Sequence, residues 1–377
     1  MTPADLSLTV LHAVRSAVDR GVLRGTVPER VKIERPRAGG RGDWVSGVAL
    51  QLAREAGLAP RDVAEILARI LQEPPHPEPR PAAGDLPADP PIPATLRQPP
   101  HPHPPFTSVD VTGPGFLNFT LRDDAQQTLV RDILRLGPRY GWRPPTGERA
   151  QPAYRADVRA AVTADALRRI LVSQGCLVRT SCEDAADPAW TRLGVRIEAQ
   201  GGRGRLATDV APLPAPYTAA QLARRLGVDA ARWGLLAAAA HDAPRLGDDL
   251  LRQSEGNPLF RVRYAHSRTR ALLRNAGQLG FRSAAEEHVE DGRELATRLG
   301  DHPLVLASAA RLCAPDRVAR HLEATADALL DFQHTVLPRG DEKPSAAHRS
   351  RLALAEAAGT VLAGGLSLLG ISAPDQM

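Results

Sequence analysis

Fourteen of the 32 residues at 74–105 are proline, and that run divides what the chain can fold into. Proline lacks a backbone N–H and holds φ fixed, so neither a helix nor a central strand passes through such a stretch. Few apolar side chains are present to offset the entropy of ordering, and the segment reads as a disordered or polyproline insertion serving as a linker. Regular structure is therefore expected on either side of it.

The 377 residues, 43% of them hydrophobic, suffice for two or three cores. No run of 18 apolar residues occurs, and the start MTPADLSLTV lacks the basic and apolar stretches of a leader. A soluble, cytoplasmic chain with no membrane association is expected. Cys176, Cys182 and Cys313 match neither a zinc-site spacing nor a disulfide framework, so no metal is expected and the thiols are read as reduced. The net charge of +5 fits a polyanionic partner without requiring one. Lys32 and Lys343 are the sole lysines, which excludes any mechanism needing a lysine between them.

Helical spacing predicts a first helix to about residue 20, a second opened by Asp43 and carrying Val45, Val48, Ala49 and Leu52, and a third from Pro60 with Val63, Ile66, Leu67, Ile70 and Leu71 on one face. Strands are predicted at 31–35, 106–112 and 116–121, the last two around a Gly-Pro-Gly turn. Asp123 and Asp157 are placed to cap helices reaching Gly137 and Gly175. Strand-like runs follow at 176–180 and 194–199. From 217 the pattern is helical throughout, with helices expected at about 219–226, 229–240, 247–276, 283–299, 303–313, 315–337 and 346–369, as in a bundle.

Two sets of segments carry a family resemblance. VKIERPRAGGRGDWVSGVALQLAREAGLAPRDVAEILARIL (31–71) and TGPGFLNFTL (112–121) resemble the N-terminal domain of arginyl-tRNA synthetases. GVDAARWGLL (227–236), EGNPLFRVRYAHSRTRALLRNA (255–276) and GLSLLGISAPDQM (365–377) resemble the helical, DALR-type anticodon-binding domain of the same class I family. The resemblance implies an α+β, mostly helical protein: an N-terminal-like domain at 1–122, a linker helix and a vestige of the catalytic domain at 123–216, and an anticodon-binding bundle at 217–377. Class I synthetases build their active site from two βαβαβ halves. A βαβ unit takes about 30 residues, so 150–217 holds two at most. YRADVRAAVTADALRRILVSQGCLVR (154–179) is similar to the first catalytic helix, but the two histidines of the family's HIGH signature fall on Tyr154 and Asp157. A carboxylate there repels triphosphate. The KMSKS loop should fall near 203–213, where Arg203 and Arg205 stand and no lysine does. Tyr154 and Asp157 are thus degenerate ATP-site positions, and no catalytic residue or cofactor is expected.

Binding residues are sought elsewhere. At 100° per residue, the helix through NPLFRVRYAHSRTRALLRNA separates an apolar stripe of Val262, Ala265, Leu272 and Leu273 from two basic ridges. Arg263, Arg270 and Arg274 form one ridge, Arg261 and Arg268 the other, and Phe260 and Tyr264 lie between. Arginines flanking aromatic rings suit a single-stranded RNA loop, phosphates going to the cations and bases to the rings. The plain alternative packs both rings against other helices and pairs the arginines with acids such as Glu286, Glu287 and Asp291. His266 reads as a packing and hydrogen-bonding residue. By the same resemblance, Phe116 and Asn118 on the outer face of their strand are candidates to meet the tRNA elbow, and Met377 to reach the anticodon loop. The expected protein is a non-catalytic relative that binds tRNA, arginine tRNA among the candidates. The alternatives are a scaffold without RNA affinity, one that pairs with a genuine arginyl-tRNA synthetase, and an enzyme, either a residual ATP-dependent arginine-tRNA ligase or a transferase acting on a nucleotide through the region from Tyr154 to Asp165.

Overall fold

The computed structural model describes residues 3–28, 30–36, 41–73, 106–122, 124–201 and 204–377. The proline-rich insertion, the Asp123 cap and Arg203 lie outside these. The chain is α+β and mostly helical, and it divides into two compact units, Met1–Ala125 and Gln126–Met377. Residues 126–216, read from the sequence as part of a connector, thus fall in the same unit as the helical bundle.

In the first unit, helices α1 (Pro3–Asp19), α2 (Val48–Ala56) and α3 (Pro60–Gln72) pack with a four-stranded antiparallel sheet. Its strands are β1 (Ile33–Glu34), β2 (Trp44–Ser46), β3 (Phe106–Thr112) and β4 (Phe116–Leu121), in the order β1-β2-β4-β3. β2 replaces the expected start of a helix. Asp43 does not cap α2; its carboxylate accepts from the Leu121 N–H at 2.7 Å and holds the strand pairing. The helix begins only after Gly47, with no side-chain cap. At the β3–β4 turn Gly115 has φ 136°, and a Cβ there would lie 2.6 Å from the Pro60 carbonyl oxygen, so only glycine fits.

The second unit opens with α4 (Ala125–Leu136) and a small parallel sheet. β5 (Arg149–Tyr154) is central, with β6 (Leu177–Val178) and β7 (Ser181–Cys182) along one edge and β8 (Ala207–Asp209) along the other. Helix α5 (Val158–Ser173) makes the crossover. The predicted strand at 194–199 is not formed: Gln200 makes a single bridge to Cys182, and β8 supplies the edge instead.

The bundle comprises α6 (Ala219–Leu236), α7 (Pro258–Gln278), α8 (Arg293–Arg311), α9 (Asp316–Phe332) and α10 (Ala346–Leu369). The expected break after 226 is Gly227, at φ 74° inside α6. α7 starts later than predicted, because Asn257 caps it and residues Asp248–Leu251 form a short 3-10 turn. The two helices expected around Pro303 are one, α8. Proline removes the N–H that would bond the carbonyl four residues earlier, and the Tyr140 hydroxyl donates to that carbonyl, Leu299 O, at 3.2 Å. α10 is long and apolar enough to cross a membrane by composition, but 78% of its apolar window is buried among the other helices.

Two buried arginines bind α5 to the bundle. Arg159, 1% exposed, donates to the carbonyls of Leu213, Leu235, Ala238, Ala239 and Asp242, most of them the orphan acceptors at and beyond the end of α6. Arg232, fully buried, pairs with Asp165 at 2.8 Å and donates to Leu193 O and Leu369 O. Burial lowers the pKa of both guanidiniums, and the neighbouring carboxylates oppose that shift. The signal for this pairing in the sequence is an aspartate and an arginine set next to alanines and large apolar residues, at Ala164-Asp165-Ala166 and Ala231-Arg232-Trp233.

Candidate nucleic-acid interface

α7 is built to present one polar face. The Asn257 side chain accepts from Phe260 N–H and donates to Leu250 O and Arg252 O, and Pro258 fills the first helical position. Leu259, Val262, Ala265, Leu272 and Ala276 are buried. α10 approaches closely at Gly359, where a Cβ would lie 2.3 Å from Thr269 Oγ1. Leu273, expected in the apolar stripe, is half-buried.

Outward from that core, Phe260 and Tyr264 stack on each other, centroids 5.6 Å apart and planes at 14°. Phe260 is half-buried and Tyr264 is 39% exposed, so the second ring is open on the outer surface. The arginines beside them are mostly engaged. Arg261 pairs with Asp327 at 3.0 Å and donates to Glu255 O, and Arg268 donates to Gln333 Oε1 at 2.7 Å. Arg263 lies 3.5 Å from Asp229, and Arg270 lies 3.2 Å from Asp375. Arg274 is exposed and makes no ion pair or side-chain hydrogen bond among the described residues. Of the acids named from the sequence, Glu286 pairs with Arg349 and Asp291 with Arg351.

The C-terminal segment occupies the Arg263–Arg270 side of the helix. His266 Nδ1 bonds Pro374 O at 2.9 Å, which fixes the proton on Nδ1, and the Ser267 hydroxyl donates to Asp375 O. Asp229 accepts from the Ser372 N–H at 3.1 Å and also bonds its hydroxyl. Burial lowers the His266 pKa, and the hydrogen bond to Pro374 O and the charge of Asp375 oppose that shift. Met377 is 51% exposed. Nothing in the periodicity of α7 announces the docking of this tail; its signal is the pair of acids, Asp229 and Asp375, that complement the ridge.

In the first unit the two candidate elbow contacts part company. Phe116 is 38% exposed, whereas Asn118 is 5% exposed. Alternation alone gives both the same face, but the Asn118 amide turns back over the β3–β4 turn and donates to Thr112 Oγ1 at 2.7 Å and to Asp110 O at 3.3 Å. It is a turn clamp, and Phe116 alone is presented to solvent.

Parallel sheets of this kind hold nucleotides beyond the carboxyl ends of their strands. Here that end is acidic. Asp157, Glu183, Asp184 and Asp209 lie at or just past the ends of β5, β7 and β8, with Arg155 the cation beside them. Asp157 caps α5, its carboxylate accepting from Ala160 N–H at 2.9 Å, and Asp184 accepts from Ala156 N–H. Tyr154 is 1% exposed, its ring 5.9 Å from that of Trp190, and burial pushes its phenol up to about 12. Neither group at the signature positions is a base or a cation free to meet a phosphate. Arg205 is exposed.

The profile described as "Arginyl tRNA synthetase N terminal domain" matches residues 8–84, and that described as "DALR anticodon binding domain" matches 262–377. The Arginine--tRNA ligases of Frankia alni and Kineococcus radiotolerans are 28% and 25% identical over alignments of 581 and 585 positions that take in all of each chain. With 377 residues here, more than a third of the aligned positions have no counterpart in this chain. The fold is similar to the arginyl-tRNA synthetase of Thermus thermophilus, with a TM-score of 0.66 at 14% identity and all of both chains covered. It is also similar to that of Plasmodium falciparum, at 0.61 and 8%, covering all of this chain and 99% of the other. The chain belongs to the arginyl-tRNA synthetase family and carries that family's N-terminal and DALR anticodon-binding domains.

Proposed function

We propose that this chain is a cytoplasmic tRNA-binding member of the arginyl-tRNA synthetase family that does not aminoacylate. The observation that carries the reading is the contrast within the second unit. The positions of the HIGH histidines serve as core and cap, in Tyr154 and Asp157, while Tyr264 stays exposed and stacked on the half-buried Phe260, with Arg274 exposed farther along the same helix. An acidic strand end disfavours triphosphate, and a stacked aromatic pair offers a platform for an unpaired base. The binding surface is α7 with Phe260, Tyr264, Arg268 and Arg274, and Phe116 of the first unit is a further contact. Arginine tRNA is the first candidate among tRNAs.

A second reading has support of its own. Arg261, Arg263 and Arg270 already hold carboxylates, as they would in a scaffold that kept the helix without its RNA affinity, one able to pair with a genuine synthetase. Electrophoretic shift with total tRNA separates the two. A saturable shift competed by unlabelled tRNA is expected, and its absence at low salt favours the scaffold. Arginine-dependent ATP–pyrophosphate exchange, assayed with total tRNA present, should not exceed a mock preparation.

A further inference from the structure

The small parallel sheet has a second polar region that neither the tRNA reading nor the strand-end chemistry uses. A cleft of about 660 Å³ lies over the amino-terminal half of β5, between β6 and the chain leading into β8. Arg149 pairs with Leu177 and Ala150 with Val178 in the parallel register. Side chains alternate along strands, so Arg149, Gln151, Leu177, Arg179 and Ser181 share the face away from Tyr154. The 3.1 Å hydrogen bond from Gln151 Nε2 to Ser181 Oγ agrees with this. Arg149 and Arg179 are both exposed, and neither has a salt bridge or a side-chain hydrogen bond among the described residues. Among the described residues, no carboxylate lines the cleft. Leu177 and Leu206, 61% and 55% exposed, form an apolar ledge beside the cations.

The polarity of this sheet is therefore reversed. Four carboxylates stand at the carboxyl ends, where the architecture puts a nucleotide, and two unpaired guanidiniums stand over the opposite half. Diagonal neighbours on adjacent strands have side chains about 7–8 Å apart at their base, close enough for two long arginines to converge on one group. A guanidinium fork matches phosphate oxygens bidentately. Exposed leucine beside such a pair favours a ligand with a flat or apolar body rather than a bare ion.

We propose that the Arg149–Arg179 cleft binds a phosphomonoester attached to a planar body, the chemistry of a mononucleotide or of the 5′-phosphorylated end of an RNA strand. Gln151 and Ser181 are placed to bond its polar edge, and Leu177 and Leu206 to cover its flat face. This site is separate from α7 and does not depend on tRNA binding there.

Calorimetry on the full chain tests it, with AMP, adenosine, inorganic pyrophosphate, and a short RNA oligonucleotide carrying either a 5′-phosphate or a 5′-hydroxyl. AMP should bind at least about tenfold more tightly than adenosine. Arg149→Gln and Arg179→Gln should each weaken AMP by about tenfold, as loss of a charge-assisted bond does, with an unchanged melting temperature. Tyr264→Ala should leave AMP binding intact. A phosphorylated oligonucleotide that outcompetes AMP identifies an RNA end as the source, and the converse a free mononucleotide. The assignment is overturned if neither phosphorylated probe binds at millimolar concentration, or if the double arginine variant binds AMP as well as the parent. Pyrophosphate binding as tightly as AMP would also overturn it, because the leucine ledge would then contribute nothing.

Discussion

Two tyrosines of the second unit show how differently the chain treats two of its surfaces. Tyr154, at a HIGH position, is 1% exposed against Trp190; Tyr264, on α7, is 39% exposed and stacked on Phe260. Around Tyr154 the polar groups have structural roles, since Asp157 caps α5, Asp184 holds the Ala156 N–H, and Asp165 neutralises Arg232. The Tyr264 ring is open to solvent, and Arg274 is exposed about 15 Å farther along α7. The small parallel sheet and α5 thus support the bundle. Arg159 and Asp165 are what fasten α5 to it, because removing α5 would take the donor from the carbonyls of Leu213, Leu235, Ala238 and Asp242 and the carboxylate from a buried guanidinium.

The largest effect is expected at that fastening. Asp165→Ala leaves Arg232 buried without its carboxylate and should cost about 3–5 kcal/mol in denaturant unfolding. A loss below about 1 kcal/mol would mean α5 is not a support. Next come the tyrosines themselves. Tyr154→Ala should destabilise the fold by about 3–5 kcal/mol, as large buried aromatics do. Tyr264→Ala should change stability far less and weaken tRNA binding by about 1–3 kcal/mol, the range for base stacking. If Tyr264→Ala proves the more destabilising of the two, the contrast collapses.

How far the sequence can be read differs between these regions in the same way. The helices of the bundle are legible because their apolar faces recur at a fixed period, and Asp157 is legible as a cap. β2 is not, because three residues are too few to show alternation, and Asp43 next to them looks like a helix start when it holds Leu121 instead. The continuity of α8 is hidden because nothing near Pro303 reveals that Tyr140, 159 residues before Leu299, supplies the missing hydrogen bond to it. Phe260 and Tyr264 group correctly from helical geometry, but the ion pairs that occupy Arg263 and Arg270 come from Asp229 and from the C-terminal segment, both remote in sequence. Asn118 fails as a surface residue because its short amide reaches its own turn.

A smaller effect concerns pH. His302 and His321 are buried side by side, ring centroids 5.2 Å apart. Burial, with each ring also facing a second basic group, pushes His302 well below its usual 6.5 and His321 to about 4. The unfolded chain therefore binds protons that the fold refuses, so stability contributed above pH 6.5 is lost as pH falls through about 4. The melting temperature should decline across that window, and His302→Leu with His321→Leu should flatten the decline. A decline unchanged in the double variant would assign acid sensitivity to other groups. Smallest is the contribution of Arg274. Arg274→Ala should reduce the salt dependence of tRNA binding by about one released counterion, with Arg270→Ala changing it less because Asp375 already holds that cation. Equal slopes in the two variants would mean the tail is displaced when RNA binds.

The most direct measurement takes one preparation of the purified protein and one pool of total tRNA with ATP and labelled arginine, and reads both filter retention of the tRNA and acid-precipitable arginyl-tRNA. Saturable retention with no arginylation above a mock preparation is the expected result. Arginylation that rises in proportion to the protein added would contradict the account at its centre.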